Sequence, residues 1–456
     1  MNSEKAIESK EQLVEWFKLG NKNKKDWKVG TEHEKFAYNF SEQKNIFTPA
    51  DYESLNGIES FLNEISKFGW EKVIEEGKVI GLKKDKQSIT LEPGGQIELS
   101  GAPLEDIHSA CKETNEHLKL VKEAGKKLNI TLLGLGLRPQ ENRDAVPWMP
   151  KPRYKIMKNY MPTKGKKGLD MMLNTCTVQA NLDYSDEQDM QKKTLLSVKI
   201  QPIITALFAN SPLSMGKPNG FLSKRRYIWM DTDPDRCGVL KVAFDEDFNF
   251  LKYINFALSV PMYFVKREGK YIDCSGSSFN DFFKGELVQL PGEKPTISDW
   301  EDHLSTIFTE VRIKQFIEVR GADAGSWRRT CALPAFWVGL LYDDIALSKA
   351  LDLCKKWNFE IVEKLSYDVA KDGLKAKIDG IILEEVASEL INYSKEGLNR
   401  RNITDGSGLN ETHFLKVLEE TITEKMTPAE QLLLDYSNSW NGSITSLIKY
   451  KKQKMS

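Results

Sequence analysis

Two short segments carry acids at strand spacing: Thr31-Glu32-His33-Glu34-Lys35-Phe36 and Leu91-Glu92-Pro93-Gly94-Gly95-Gln96-Ile97-Glu98-Leu99. Side chains alternate along an extended chain, so Glu32 and Glu34 share a face and His33 points away from them. Glu98 opposes Ile97 and Leu99. Gln179 and Asn181 oppose the apolar row Cys176, Val178, Ala180 and Leu182, and Glu318 and Arg320 oppose Ile317 and Val319. Four segments thus have one apolar face and one face of oxygen ligands or arginine. In one antiparallel sheet the apolar faces pack on helices, and the polar faces line a basin. Carboxylates about 4 Å apart repel by roughly 4 kcal/mol at an effective dielectric of about 20, so they must be protonated, paired or metallated. All-oxygen ligands select Mg²⁺, Mn²⁺ or Ca²⁺. Mg²⁺ normally accompanies phosphates, and Arg320, Arg225 and a basic loop supply charge for phosphate or carboxylate. The chemistry expected of such a basin is phosphoryl transfer.

The elements that must position these groups are legible in outline. An amphipathic helix fits Lys10 to Leu19, stopped by Gly20, and another fits the stretch between Asp51 and Phe68. Lys78 to Leu99 reads as strand, turn and strand, with Pro93-Gly94-Gly95 as the turn. Pro103 opens a long helix with Leu104, Ile107, Cys111, Leu118 and Val121 near one stripe. Thr131 to Leu137 is a buried-strand pattern, and Thr175 to Tyr184 is the clearest strand. Pro139 to Gly168 reads as a long functional loop, with seven basic residues and no acid from Lys151 to Lys167. A capping box predicts a helix from Ser298 with Glu301. Most of the chain after Pro334 reads as helical, including a start at Thr427-Pro428. Gly134-x-Gly136 lacks a third spaced glycine and is followed by Arg138-Pro139, so it makes no dinucleotide fingerprint. The five histidines are scattered, and no Ser/His/Asp or Cys/His set stands out.

Composition bounds the function class. The 456 residues carry 29% charged side chains and a formal net charge of -1, which gives no argument for nucleic acid or an anionic membrane as partner. No uncharged run reaches the ~18–20 apolar residues of a spanning helix. The opening Met1-Asn2-Ser3-Glu4-Lys5 is polar and lacks a signal-peptide core. Six cysteines without a CxxC pair suit reduced thiols, and a cytoplasmic location is expected. No linker divides the sequence, so a single catalytic domain over 1–456 is expected, mostly helical from about 334.

A longer set of motifs resembles a known family. TEHEKF, LEPGGQIELSGAP, RYKIMKNYMP, GLDMMLNTCTVQANLDYS, IWMDTDPDR, EVRGADAG, WRRTCALPAFWVGLLYDD and the late TPAE are similar to the plant and proteobacterial type of glutamate–cysteine ligase. The resemblance runs from about Trp16 to the last helices. It implies an α+β fold in which a curved antiparallel sheet, backed by helices, forms a funnel-shaped site. It implies ATP-dependent activation of the glutamate γ-carboxylate as an acyl phosphate, followed by attack of the cysteine amine. Glutamate, cysteine and ATP are the partners implied, with two or three Mg²⁺ ions (or Mn²⁺), in a monomer or homodimer. Carried onto this sequence, Glu32, Glu34, Glu92, Glu98, Gln179 and Glu318 are metal-side ligands. Glu34, Glu318 and Arg320 are catalytic, with Arg320 facing the transferring phosphate. Arg225 holds a glutamate carboxylate, Trp327 and Arg328 lie near the nucleotide or glutamate, and Arg153, Met157, Tyr160 and Tyr263 wall the substrate pocket. A γ-glutamyl ligase with another amine acceptor would share the acidic basin, and a binding or regulatory subunit would not need it intact. Cys111 and Cys331 match one family disulfide. Cys274 lacks its family partner, because Gln289 stands there.

Overall fold

The structure is a computed structural model that describes residues 5–454, so Met1-Asn2-Ser3-Glu4 of the polar opening lies outside the described residues. Ten strands form one sheet, labelled in chain order β1 (Val29–Ser41), β2 (Ile46–Pro49), β3 (Glu71–Glu75), β4 (Lys78–Lys84), β5 (Gln87–Leu91), β6 (Gln96–Ser100), β7 (Ile130–Leu133), β8 (Thr177–Leu182), β9 (Val311–Ile313) and β10 (Ile317–Asp323). The order across the sheet is β9-β10-β8-β1-β6-β5-β4-β3, with β2 and β7 on the far half of the long strand β1. Every pairing in it is antiparallel. The α+β class with a large antiparallel sheet therefore holds.

Period-two alternation explains where the core sits. Val178, Ala180, Leu182, Ile317 and Val319 turn their apolar faces into a cluster with helices Glu187–Leu207 and Trp327–Leu341. Leu82, Ile89, Leu91, Ile97 and Leu99 do the same against Ile58–Ser66 and Ile107–Leu128. The polar faces are left for the site.

Several boundaries differ from the sequence reading. Lys78 to Leu99 contains three strands, because the chain also turns between β4 and β5 with Asp85 at φ 51°. The long helix begins at Ile107, since Asp106 accepts from Ser109 N as its N-cap, four residues after Pro103. The capping box before Ile297–Ser305 is Thr296 with Asp299, not Ser298 with Glu301. The basic stretch is not a free loop: Pro152 starts a helix through Tyr160, as Pro does readily at a first turn. Cys111 and Cys331 form a disulfide, 5.3 Å between Cα atoms, so not all the thiols are reduced. Among the described residues no single helix is long and apolar enough to cross a membrane.

Candidate active site

Strand register brings the acids together. Glu34 on β1 lies directly opposite Glu98 on β6, and Glu32 opposite Gln179 on β8. One strand further, Glu318 on β10 faces Asn181 on β8, and Arg312 on β9 faces Glu318. Glu32, Gln179, Glu98 and Glu318 thus occupy one face of four neighbouring strands. His33 points to the other face, 5.3 Å ring to ring from His117.

The two halves of this face are balanced differently. On the β1–β6 half the carboxylates meet mostly neutral donors. Asn181 Nδ2 donates to Glu32 at 2.7 Å, Ser100 Oγ to Glu98 at 2.8 Å and Thr177 N to Glu34 at 3.0 Å. Burial, then Glu318 and Glu98, push the Glu32 carboxyl up to about 7. Burial and Glu92 push Glu98 up to about 7, and burial with Glu98 and Glu92 holds Glu34 well above the usual range. On the β9–β10 half the opposite holds. Arg312 grips Glu318 through two bonds, 2.5 and 2.9 Å, and Arg320 Nη1 adds a third at 2.9 Å. Burial alone would raise the Glu318 carboxyl, but Arg312, Lys314 and Arg320 together hold it below its ordinary value.

Arg320 also donates to Gln179 Oε1 at 2.5 Å, which ties the two halves together. Arg225 sits at 4% exposure in a short helix, Lys224–Trp229, with Nη2 on the Arg320 carbonyl at 3.1 Å. Its Nε has no hydrogen-bond partner among the described residues. Asp323 builds this corner: it accepts from Asn210 N, Ser211 Oγ and Ser223 Oγ and lies 4.0 Å from Arg225. A β-bulge between Val319 and Ala322 brings Asp323 level with Thr177.

The helix Pro152–Tyr160 is tied to the sheet by the Tyr154 hydroxyl on the Leu91 carbonyl at 2.5 Å. It sets Lys151 and Arg153 in the field of Glu92. Burial lowers the Lys151 ammonium to about 8 against the pull of Glu92. The Arg153 Nε is buried without a hydrogen-bond partner among the described residues, and Lys164 lies against Tyr160. Met157 and Tyr263 are core side chains, 5% and 1% exposed, with Tyr160 edge-on to Tyr263 at 5.4 Å.

Trp327 and Arg328 do not join the basin. Trp327 is 42% exposed and lines a different cavity, one floored by Lys35, whose side chain leaves β1 on the face opposite Glu34. Arg328 turns outward to Glu420 at 2.7 Å. The reason is local: β10 ends at Asp323, and Ser326 starts a new helix that carries both residues away. Sequence reasoning missed Arg312 and Asp323. Arg312 was recoverable from the Val311-Arg312-Ile313 alternation, whereas Asp323 needed knowledge of the bulge.

Among the described residues no three acids, histidines or cysteines already converge as a metal nest. The β1–β6 acids nonetheless suit a hard cation, because their oxygens are buried beside one another with little positive charge to offset them.

A large antiparallel sheet with acids and arginines on one face, backed by helices, therefore frames the site. Residues 28–450 match the family described as Glutamate-cysteine ligase family 2 (GCS2), and the chain belongs to that family. It is 50% identical to the chloroplastic glutamate–cysteine ligase of Medicago truncatula over 96% of this chain and 84% of that one. It is also 50% identical to the chloroplastic enzyme of Arabidopsis thaliana over 96% of this chain and 81% of that one. A glutamate–cysteine ligase of Francisella tularensis, solved in complex with AMP, shares the fold with a TM-score of 0.59 at 13% identity, covering 94% and 89% of the two chains. The expected cytoplasmic location is overturned by these relatives, which are chloroplastic and point to a plastid.

Proposed function

We propose that this enzyme joins the γ-carboxylate of L-glutamate to the amine of L-cysteine, with ATP converted to ADP and phosphate, as the first step of glutathione biosynthesis. One observation carries the reading: in a chain of this family, Glu32, Glu34 and Glu98 crowd one sheet face beside Arg320 and Arg225. A carboxylate is a poor acyl donor, and phosphorylation makes it a good one. Mg²⁺ bound there would neutralise the ATP phosphates during transfer. Glu32, Glu34 and Glu98, with Glu92 alongside, would hold it and release their protons as it binds. Gln179 and Glu318 would join through oxygens they share with Arg320.

Arg320, fixed between Gln179 and Glu318, would meet the transferring phosphate. Arg225 offers its unpartnered Nε to a substrate carboxylate. Arg153 presents an unpartnered Nε on the acceptor side, with Tyr160, Met157 and Tyr263 packed beside it. The sheet runs unbroken from β3 to β9, which supports one catalytic domain with helices following it.

The test is phosphate release with glutamate, Mg²⁺-ATP and a panel of amines. Cysteine is expected to turn over best. If alanine or 2-aminobutyrate matches it, the acceptor is another amine. If glutamate and cysteine together give no turnover above background, the assignment fails.

A further inference from the structure

A cavity of about 720 Å³ lies outside the acidic basin. Its walls are the helices Ile107–Leu128 and Trp327–Leu341 and the late helices Lys416–Thr423, Pro428–Asn438 and Ile444–Lys454. The Cys111–Cys331 bridge ties the first two walls together covalently.

Five cationic side chains line the cavity, Lys35, Lys119, Lys122, Arg329 and Lys451, and two of them, Lys35 and Arg329, lie deepest against the sheet and the helix start. Lys35 is 4% exposed on its floor, and among the described residues it has no carboxylate within ion-pair distance. Its nearest polar neighbour is His33 Nδ1 at 3.4 Å, at the far limit of a hydrogen bond. Arg329 spends its guanidinium on neutral oxygens, the Leu207 carbonyl at 2.9 Å and Thr421 Oγ1 at 2.6 Å. A buried ammonium without a counter-charge is costly, and an anion in the cavity would offset it. The first turn of Trp327–Leu341 opens at the same place, and Ser326 does not cap it with its side chain. Gly134 and Gly325 let two backbones touch there: a Cβ on Gly134 would stand 2.5 Å from the Gly325 oxygen. Trp327 and Trp440 line the remainder. The acids at the rim are engaged or peripheral: Glu420 pairs with Arg328, Asp435 accepts from Gln431, and Glu424 is exposed.

We propose that this cavity is a second ligand site, which takes a small phosphate- or carboxylate-bearing molecule with a planar or apolar body. The anionic head sits between Lys35, Arg329 and the helix start, and the body lies against Trp327 and Trp440. The volume suits a molecule of nucleotide or short-peptide size.

The probe is phenyl phosphate, with phenol as its neutral counterpart, titrated by tryptophan fluorescence into the full-length enzyme saturated with Mg²⁺-ATP and glutamate. Saturating the active site separates this proposal from the catalytic assignment. Expected are saturable binding of phenyl phosphate, none of phenol at equal concentration, and a loss of ~tenfold or more in Lys35→Met that Lys35→Arg restores, as for one charge-assisted hydrogen bond. Trp327→Phe is expected to remove most of the fluorescence change while leaving the fold intact. Absence of saturable binding to the wild type would overturn the proposal. So would equal binding by Lys35→Met, or probe binding that appears only when Mg²⁺-ATP and glutamate are left out.

Discussion

The two halves of the acidic face solve the same electrostatic problem in opposite ways. On β9 and β10, Glu318 is buried inside a ring of Arg312, Arg320 and Lys314 that already offsets its charge. On β1 and β6, Glu32, Glu34 and Glu98 lean on amides and a hydroxyl and retain their mutual repulsion. One half is preorganised by the protein; the other is completed by what binds. An enzyme that must gather a polyanionic nucleotide and a carboxylate substrate would benefit from both: fixed guanidinium groups on one side, and, on the proposed reading, acids left for a cation on the other.

The comparison is most severely tested at Arg312. Replacing it with Met leaves Glu318 buried with its two-pronged partner gone. Loss of one member of a buried pair typically removes about 3–5 kcal/mol of stability. Denaturant unfolding of Arg312→Met should show a loss in that range, and a loss below ~1 kcal/mol would mean that Glu318 is not held as described. The matching change on the other half, Glu34→Gln, should behave in reverse. It relieves repulsion and keeps an oxygen for Thr177 N, so the chelated protein should unfold no earlier than wild type. Turnover should nonetheless fall by ~100-fold or more, as when one preorganised electrostatic group is removed. Full activity in Glu34→Gln would remove β1 from the catalytic surface.

The halves also carry opposite pH signatures. Burial and neighbouring carboxylates raise Glu32 and Glu98 from an ordinary 4.5 to about 7 in the folded chain, so the folded state keeps their protons longer. In chelator, stability should therefore fall as pH rises from 4.5 to 7 and level off above that. Glu318 lies below 4.5, so its contribution is present above that pH and is lost on acidification. Saturating Mg²⁺ should flatten the first slope and change the second much less, because Arg312 and Arg320 already hold Glu318 ionised. Thermal melts over pH 4 to 8 with and without Mg²⁺ would read this directly, and identical profiles in the two conditions would contradict a cation site on β1.

How much of this was readable beforehand follows the same division. Glu32, Glu34 and Glu98 announce themselves because strand alternation is written in consecutive residues. Their convergence with Glu318 followed from placing four such strands in one sheet. The pairing of Arg312 with Glu318 needed the β9–β10 register, which no local pattern specifies. Asp323 was hidden by the bulge, which changes the alternation after Val319. The cavity that Trp327 lines was hidden for a different reason. Its surroundings come from residues 417 to 451, about a hundred positions downstream, and helix packing of that range leaves no trace near Trp327 itself. The disulfide between Cys111 and Cys331 spans 220 residues and was suggested by resemblance alone.

Trp327 and Arg328 give the mildest test, because they belong to neither half. Arg328 is 49% exposed at its side chain and its partner Glu420 is 36% exposed, so the pair is screened and worth under ~1 kcal/mol. Arg328→Ala should shift the melting temperature slightly and leave KM for ATP, glutamate and cysteine within ~twofold, an energy well below one hydrogen bond to a charged group. Trp327→Ala removes a half-exposed ring from a cavity on the other face of β1, and its KM values should likewise stay within ~twofold. A rise of tenfold in KM for any one substrate would mean that the helix start moves toward the basin during turnover. The boundary drawn here between the two cavities would then belong to the resting enzyme only.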